Sequence, residues 1–188
     1  VSSYETIQTR SGRYVAPLRL DPEDVDVADI AHALSNQCRF GGHTRVFYSV
    51  AEHSCRVSDL VAEQGGSDYE TLYGLLHDAA EAYLVDLPRP IKHAIGLERY
   101  RAAESTVMEA ISVALGLDAE VPAIVHEADN RLLVTERRDL MHARDDEVWR
   151  IFEEVEPLPE RIRPWKPEVA KYGYVRRYVT LCTRLGRL

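Results

Sequence analysis

The chain has 188 residues, 45% hydrophobic and 29% charged, with a formal net charge of −8. That length suits one domain able to enclose a polar site, and no apolar run approaches the ~20 residues of a membrane span. The acidic balance argues against broad nucleic-acid binding, which needs a basic surface, while leaving room for a small anion in a local basic pocket.

The start, Val1-Ser2-Ser3-Tyr4-Glu5, lacks a basic stretch followed by an apolar core, so no signal peptide is expected. Alternating residues around Ser11-Gly12, from Thr6 to Val15, predict a short hairpin with Gly12 in the turn. After the acidic loop Asp21–Asp24, a first helix is expected over Ile30–Leu34, ended by Asn36 or Gln37, followed by a turn-rich segment, Cys38 to Arg45. Ser49 can cap a helix running to about Glu63, with Val50, Val57, Leu60 and Val61 on an apolar stripe and His53 beside it. Gly65-Gly66 ends it, and Ser67 or Asp68 can cap a helix carrying Leu72, Leu75, Leu76 and the pair His77-Asp78. The two prolines of Asp86-Leu87-Pro88-Arg89-Pro90 predict a loop there. Helices are expected again over Tyr100–Leu115, from about Pro122 to His142, and from Pro167 to Leu185 with Gly186 as the stop, after a connector around Pro157-Leu158-Pro159. The pattern reads as one all-α domain with a small β appendage. Three cysteines, Cys38, Cys55 and Cys182, odd in number and without CxxC spacing, favour a reducing cytoplasm over a disulfide framework.

His77-Asp78 is the most informative pair. An imidazole and a carboxylate inside the apolar run Leu75–Leu84 are costly to bury unless a cation or hydrogen bonds satisfy them. On a continuous helix Glu81 would rise one turn later on the same face. His53 and Asp129 are further candidate ligands. Taken singly, His53 reads as readily as a satisfied core histidine, and Asp129 as part of a solvated face with Glu127, Arg131 and Glu136. The basic residues of the C-terminal segment, Lys171, Arg176, Arg177, Arg184 and Arg187, read as a solvated helix face.

Together, Tyr48-Ser49-Val50-Ala51-Glu52-His53-Ser54, Leu76-His77-Asp78-Ala79-Ala80-Glu81-Ala82-Tyr83 and Asp86-Leu87-Pro88-Arg89-Pro90-Ile91-Lys92 resemble the HD-domain superfamily of metal-dependent phosphohydrolases, across roughly Ile30 to Glu136. The third segment is similar to the small nucleotidase-like branch, which includes 5′-deoxynucleotidases and phage deoxynucleoside triphosphate hydrolases. The resemblance implies an HD-domain helical bundle: residues 1–25 form the hairpin and lead-in, 26–146 the core, and 147–188 the connector and C-terminal helix. It implies His53, His77, Asp78 and Asp129 as ligands of one divalent metal (Mn, Co, Fe, Ni or Zn, with Mg also acceptable). Glu81 and Asp86 would handle protons, and Arg39 and Lys92 would hold phosphate. Arg45, His43 and Arg89 read as surface charges that could also gate the site. His93 and His126 do not match a second metal site, so the centre is expected to be mononuclear.

The implied activity is cytoplasmic hydrolysis of a nucleotide, a deoxynucleoside mono- or triphosphate. A phosphodiesterase, a dinucleoside polyphosphate hydrolase and a non-catalytic nucleotide sensor are the alternatives. A homodimer or larger homo-oligomer is implied, with Tyr172, Tyr174, Tyr178 and Leu181 of the last helix as an interface; neither nucleic acid nor membrane is an expected partner. The interval from His53 to His77 is shorter than in the best-known nucleotidases, and the hairpin and Gly41-Gly42 have no counterpart there, so a different base pocket is expected.

Overall fold

The computed structural model describes residues 5–94, 96–142 and 154–188. Ile7–Gln8 (β1) and Tyr14–Val15 (β2) pair antiparallel, with Ile7 opposite Val15. Gly12 N–H donates to Thr9 O at 3.0 Å, with Gly12 at φ +91°, a conformation that suits a residue without a Cβ. Asp29 accepts from the Ser11 amide at 2.8 Å and from its hydroxyl at 2.6 Å. Those bonds tie the hairpin to α1 (Val27–Asn36), whose N-terminus Asp26 caps through the Ala28 amide.

Capping fixes the next two helices as their sequences predict. Ser49 accepts from the Glu52 amide to start α2 (Val50–Glu63), and Ser67 forms a reciprocal capping box with Glu70 to start α3 (Asp68–Leu76). The interior of α2 differs from the expected one-sided stripe. This helix packs against α1, α3, α7 (Ala123–Leu140) and α8 (Pro167–Arg184), and buries polar residues as well as apolar ones. Its buried polar groups have partners: Glu52 accepts from Arg56 and from the Trp165 amide, and the Ser58 hydroxyl donates to Thr71 O at 2.9 Å. Gly74 permits the close α2–α3 contact, since a Cβ there would lie 3.3 Å from Val61 Cγ2 and 3.4 Å from Ser58 Cα.

The expected continuous helix through His77, Asp78 and Glu81 does not form. After Leu76 the chain tightens into bonds three residues apart, Ala79 N–H to Leu76 O and Glu81 N–H to Asp78 O, before the short α4 (Glu81–Leu84). The His77 imidazole donates to Gly74 O at 2.8 Å, competing for a carbonyl that an uninterrupted helix would use. In such tight turns each residue advances about 120°, so Glu81 no longer stacks over His77.

Val85 follows at φ +88° and ψ +152°, a region that only glycine occupies at low cost. Gln37 brackets this bend, donating to Glu81 O at 2.9 Å and accepting from the Asp86 amide at 3.1 Å. The proline segment is not all loop: Pro90 lies in the first turn of α5 (Arg89–Lys92), where its missing N–H is tolerated. Beyond it runs α6 (Glu98–Leu115).

α8 lies across α1, α2 and α3, which corrects the expected interface. Tyr174 and Leu181 are buried in the core, Tyr178 is half-buried, and Tyr172 alone of the four is exposed. The basic tail is likewise not simply solvated, because Arg177 pairs with Asp59 at 2.5 Å and Arg184 with Asp68 at 3.3 Å.

One apolar cluster runs from Val15 through Cys182. The start at 1–4 and the division at 146/147 lie outside the described residues. Among the described residues, no helix is long and apolar enough to cross a membrane.

Candidate metal centre

His53 comes from the middle of α2, His77 and Asp78 from the turn that follows α3, and Asp129 from α7, and their side chains approach one another. His53 Nε2 lies 3.4 Å from His77 Nε2, 3.2 Å from Asp129 Oδ1 and 3.6 Å from Asp78 Oδ2; His77 Nε2 lies 3.4 Å from the same Asp78 oxygen. One ligand atom each of His53, His77 and Asp129 falls within 4.8 Å of the others.

Two ligands ~2.1 Å from a common metal and ~90–110° apart stand about 3.0–3.4 Å from each other. The observed spacings are close to that, so His53, His77 and Asp129 could hold a metal ion. Imidazole and carboxylate donors accept several first-row metals.

The outer nitrogens support the same reading. His53 Nδ1 lies 2.7 Å from Glu136 Oε1, and His77 Nδ1 lies 2.8 Å from the Gly74 carbonyl. A carbonyl can only accept, so His77 carries its hydrogen on Nδ1 and a neutral ring presents a lone pair at Nε2.

Glu136 was read from sequence as part of a solvated face, yet its side chain is fully buried. The available signal was its spacing: seven residues after Asp129, and so on the same face of α7, with the buried Leu132 and Leu133 between them. Gln37 and Gly74 carried no comparable signal, because each acts through a backbone contact distant in sequence or through its own carbonyl.

Arg39 reaches the centre as expected, but as a partner of acids. Its Nε lies 3.3 Å from Glu136 Oε2 and its Nη1 lies 3.4 Å from Asp78 Oδ2, with 11% of the side chain exposed. Burial and Arg39 both disfavour a charged His53, but Glu136 and Asp129 prevail and push it up to about 9 in the metal-free chain. Burial works to raise Asp78 and Asp129 as well. For Asp78 the neighbouring His77, His53 and Arg39 win and hold it low; for Asp129 the bond and charge of His53 dominate in the same direction. A metal ion would take the place of the proton that these carboxylates hold on His53.

Glu81 and Asp86 lie beside this cluster, outside its ligand contacts. Glu81 is 5% exposed; burial, Asp78 and Asp86 together push its carboxyl well above the usual range, and its Oε2 has no hydrogen-bond partner among the described residues. Burial also raises Asp86, with Arg39 opposing and Asp78 adding to the rise. Lys92 Nζ is held 2.5 Å from Glu104 Oε1 and 3.9 Å from Glu81 Oε1. Arg89 Nη2 reaches Asp129 Oδ2 at 3.1 Å, so it joins the centre although it read as a surface charge. Arg45 serves the end of α7, its amide donating to Leu140 O and its guanidinium to Asp139 O. His43, His93 and His126 are exposed and outside the ligand cluster.

No family model matches the sequence. The chain is 37% identical over 147 residues to the uncharacterized protein YfdR of Escherichia coli (strain K12), covering 78% of each. It is 35% identical over 189 residues to the uncharacterized protein RCAP_rcc00048 of Rhodobacter capsulatus, covering 94% of this chain and 95% of that protein. The chain belongs to the family of these two proteins.

Proposed function

We propose that this protein is an HD-type, metal-dependent phosphohydrolase that removes phosphate from a nucleotide. The observation that carries the reading is the pair of imidazole Nε2 atoms facing each other across 3.4 Å beside two carboxylates, with Nδ1 of each ring tied to an acceptor. A simple core has no use for two ring nitrogens and two acids converging on one point. The sequence resemblance to the nucleotidase-like HD branch supplies the reaction class and a deoxynucleoside mono- or triphosphate as the substrate.

A divalent ion held by His53, His77, Asp78 and Asp129 would lower the pKa of water and stabilise charge on a phosphoryl oxygen. Glu81, buried and with Oε2 unpartnered, holds or accepts a proton next to the ligands. Asp86 sits at the same edge, its backbone fixed by Gln37, and orients water or returns a proton to the leaving oxygen. Arg39 and Lys92 place positive charge near the phosphate, Arg39 from within its contacts to Glu136 and Asp78.

The test is phosphate release from a panel of nucleoside and deoxynucleoside mono-, di- and triphosphates with Mn, Co and Mg, repeated with Asp78→Ala. Turnover of one class by the native chain and its loss in the variant are expected. Metal binding with no turnover of any nucleotide would replace the enzyme reading with that of a sensor.

A further inference from the structure

We propose that Glu136 is the positioning residue of the centre: one carboxylate fixes the metal-facing side of His53 and, through its other oxygen, aims Arg39. The inference rests on the metal reading of the site and is independent of which phosphate compound is the substrate.

Glu136 lies on α7 two helical turns beyond Asp129, so a single helix supplies one ligand and the partner of another. Its side chain is fully buried, with Oε1 2.7 Å from His53 Nδ1 and Oε2 3.3 Å from Arg39 Nε, and the Tyr48 hydroxyl also faces the carboxylate and helps to hold it ionised. An ionised carboxylate only accepts, so His53 must carry hydrogen on Nδ1, leaving the Nε2 lone pair of the neutral ring for the cluster. His77 has its orientation set by Gly74 O, a neutral backbone acceptor with no link to a cation. Glu136 differs by being charged and shared. Arg39 in turn extends Nη1 to Asp78, so ligand, carboxylate, guanidinium and second ligand form a closed circuit: His53, Glu136, Arg39, Asp78, with His53 Nε2 back within 3.6 Å of Asp78 Oδ2. Loss of the carboxylate opens this circuit at both the metal side and the guanidinium side.

Glu136→Gln keeps the shape. Its amide can still accept from His53 Nδ1–H, but then turns an NH2 group toward the Arg39 guanidinium, donor against donor. Cobalt and zinc binding are measured by titration on the full chain, alongside the visible spectrum of the cobalt-loaded protein and its far-UV circular dichroism. The expected result is a folded variant that binds cobalt about 10–100-fold more weakly, with a shifted cobalt spectrum that a loss of stability alone would not produce. A folded Glu136→Gln with native cobalt affinity and spectrum overturns the proposal. If the variant does not fold, long-range proton–nitrogen NMR of the zinc-loaded native chain decides. Hydrogen on His53 Nδ1 is expected, and hydrogen on Nε2 overturns the proposal. Native protein that binds neither metal removes the metal reading itself and this inference with it.

Discussion

Replacing Arg39 with methionine separates a cation that builds the site from one that waits for substrate. The side chain is 11% exposed and stands 3.3 Å from Glu136 Oε2 and 3.4 Å from Asp78 Oδ2. At an effective dielectric of ~20, each contact represents about 5 kcal/mol of bare attraction, most of it balanced by the cost of desolvating the charges. Removing one partner leaves the cost without the balance. Glu136, wholly buried, and Asp78 would then face each other's charge and a low-dielectric wall, and breaking a buried pair in this way costs about 3–5 kcal/mol. Arg39→Met, measured by urea unfolding with EDTA present, is expected to lose that much stability, or roughly 6–20 °C of Tm for a chain of this length. The loss should persist in 0.5 M salt, because buried pairs are screened far less than exposed ones. A loss below about 1 kcal/mol, or one erased by salt, would refute the argument and return Arg39 to the role of a loosely held phosphate-gripping residue.

Metal at 100 times its Kd should stabilise the native chain by about 3 kcal/mol and raise Tm by roughly 5–11 °C, an effect that EDTA reverses; in His77→Ala the rise should disappear, and a rise of native size there would exclude His77 as a ligand. Asp139 is 2% exposed, and although burial opposes it, Arg138, the Ile162 amide and Arg161 hold its carboxyl down at about 2, against an ordinary 3.8. A depressed carboxylate stabilises above its unfolded pKa and loses that contribution as pH falls through the folded one. The term is about 2 kcal/mol at pH 7, with about half gone by pH 3. Unfolding curves of native chain and Asp139→Asn should therefore converge as pH falls from 5 to 3, and a constant gap would contradict this. Val85→Gly should relieve the strain at φ +88° and raise stability by about 1 kcal/mol after the entropic cost of glycine; thermal denaturation showing a clear drop would mean that the Val85 side chain holds the bend by packing.

Local chemistry was legible wherever one residue and its near neighbours decide the outcome. Ser49 and Ser67 were readable as caps because a hydroxyl before an apolar-periodic run satisfies amides only two or three residues away. The candidate ligand set was legible for a related reason: His77 and Asp78 are residue types that an apolar run seldom hides without purpose, and the order of His53, His77, Asp78 and Asp129 resembles a known family. Glu136 was not legible. A lone glutamate on a helix with Arg131 and Glu127 nearby looks solvated, and only the packing of α7 on α2 turns it inward. The break after Leu76 was hidden too. Helix propensity favours continuation through Ala79 and Ala80, and the competing acceptor for His77 becomes visible only when its ring is placed.

The sequence by itself determined the all-helical class, the N-terminal hairpin and most helix starts, because periodicity, caps and turn residues act over a few positions; its resemblance to a known family picked out His53, His77, Asp78 and Asp129 as candidate ligands. Tertiary structure alone decided that α2 buries polar as well as apolar residues between four helices, that Glu81 turns away from His77 toward Lys92, and that Tyr174 and Leu181 belong to the core. It also decided that Arg39 is neutralised by Glu136 from 97 positions away. A buried charge is tolerated only when its counterpart is brought beside it, and that pairing is a property of how helices pack rather than of any local stretch of chain.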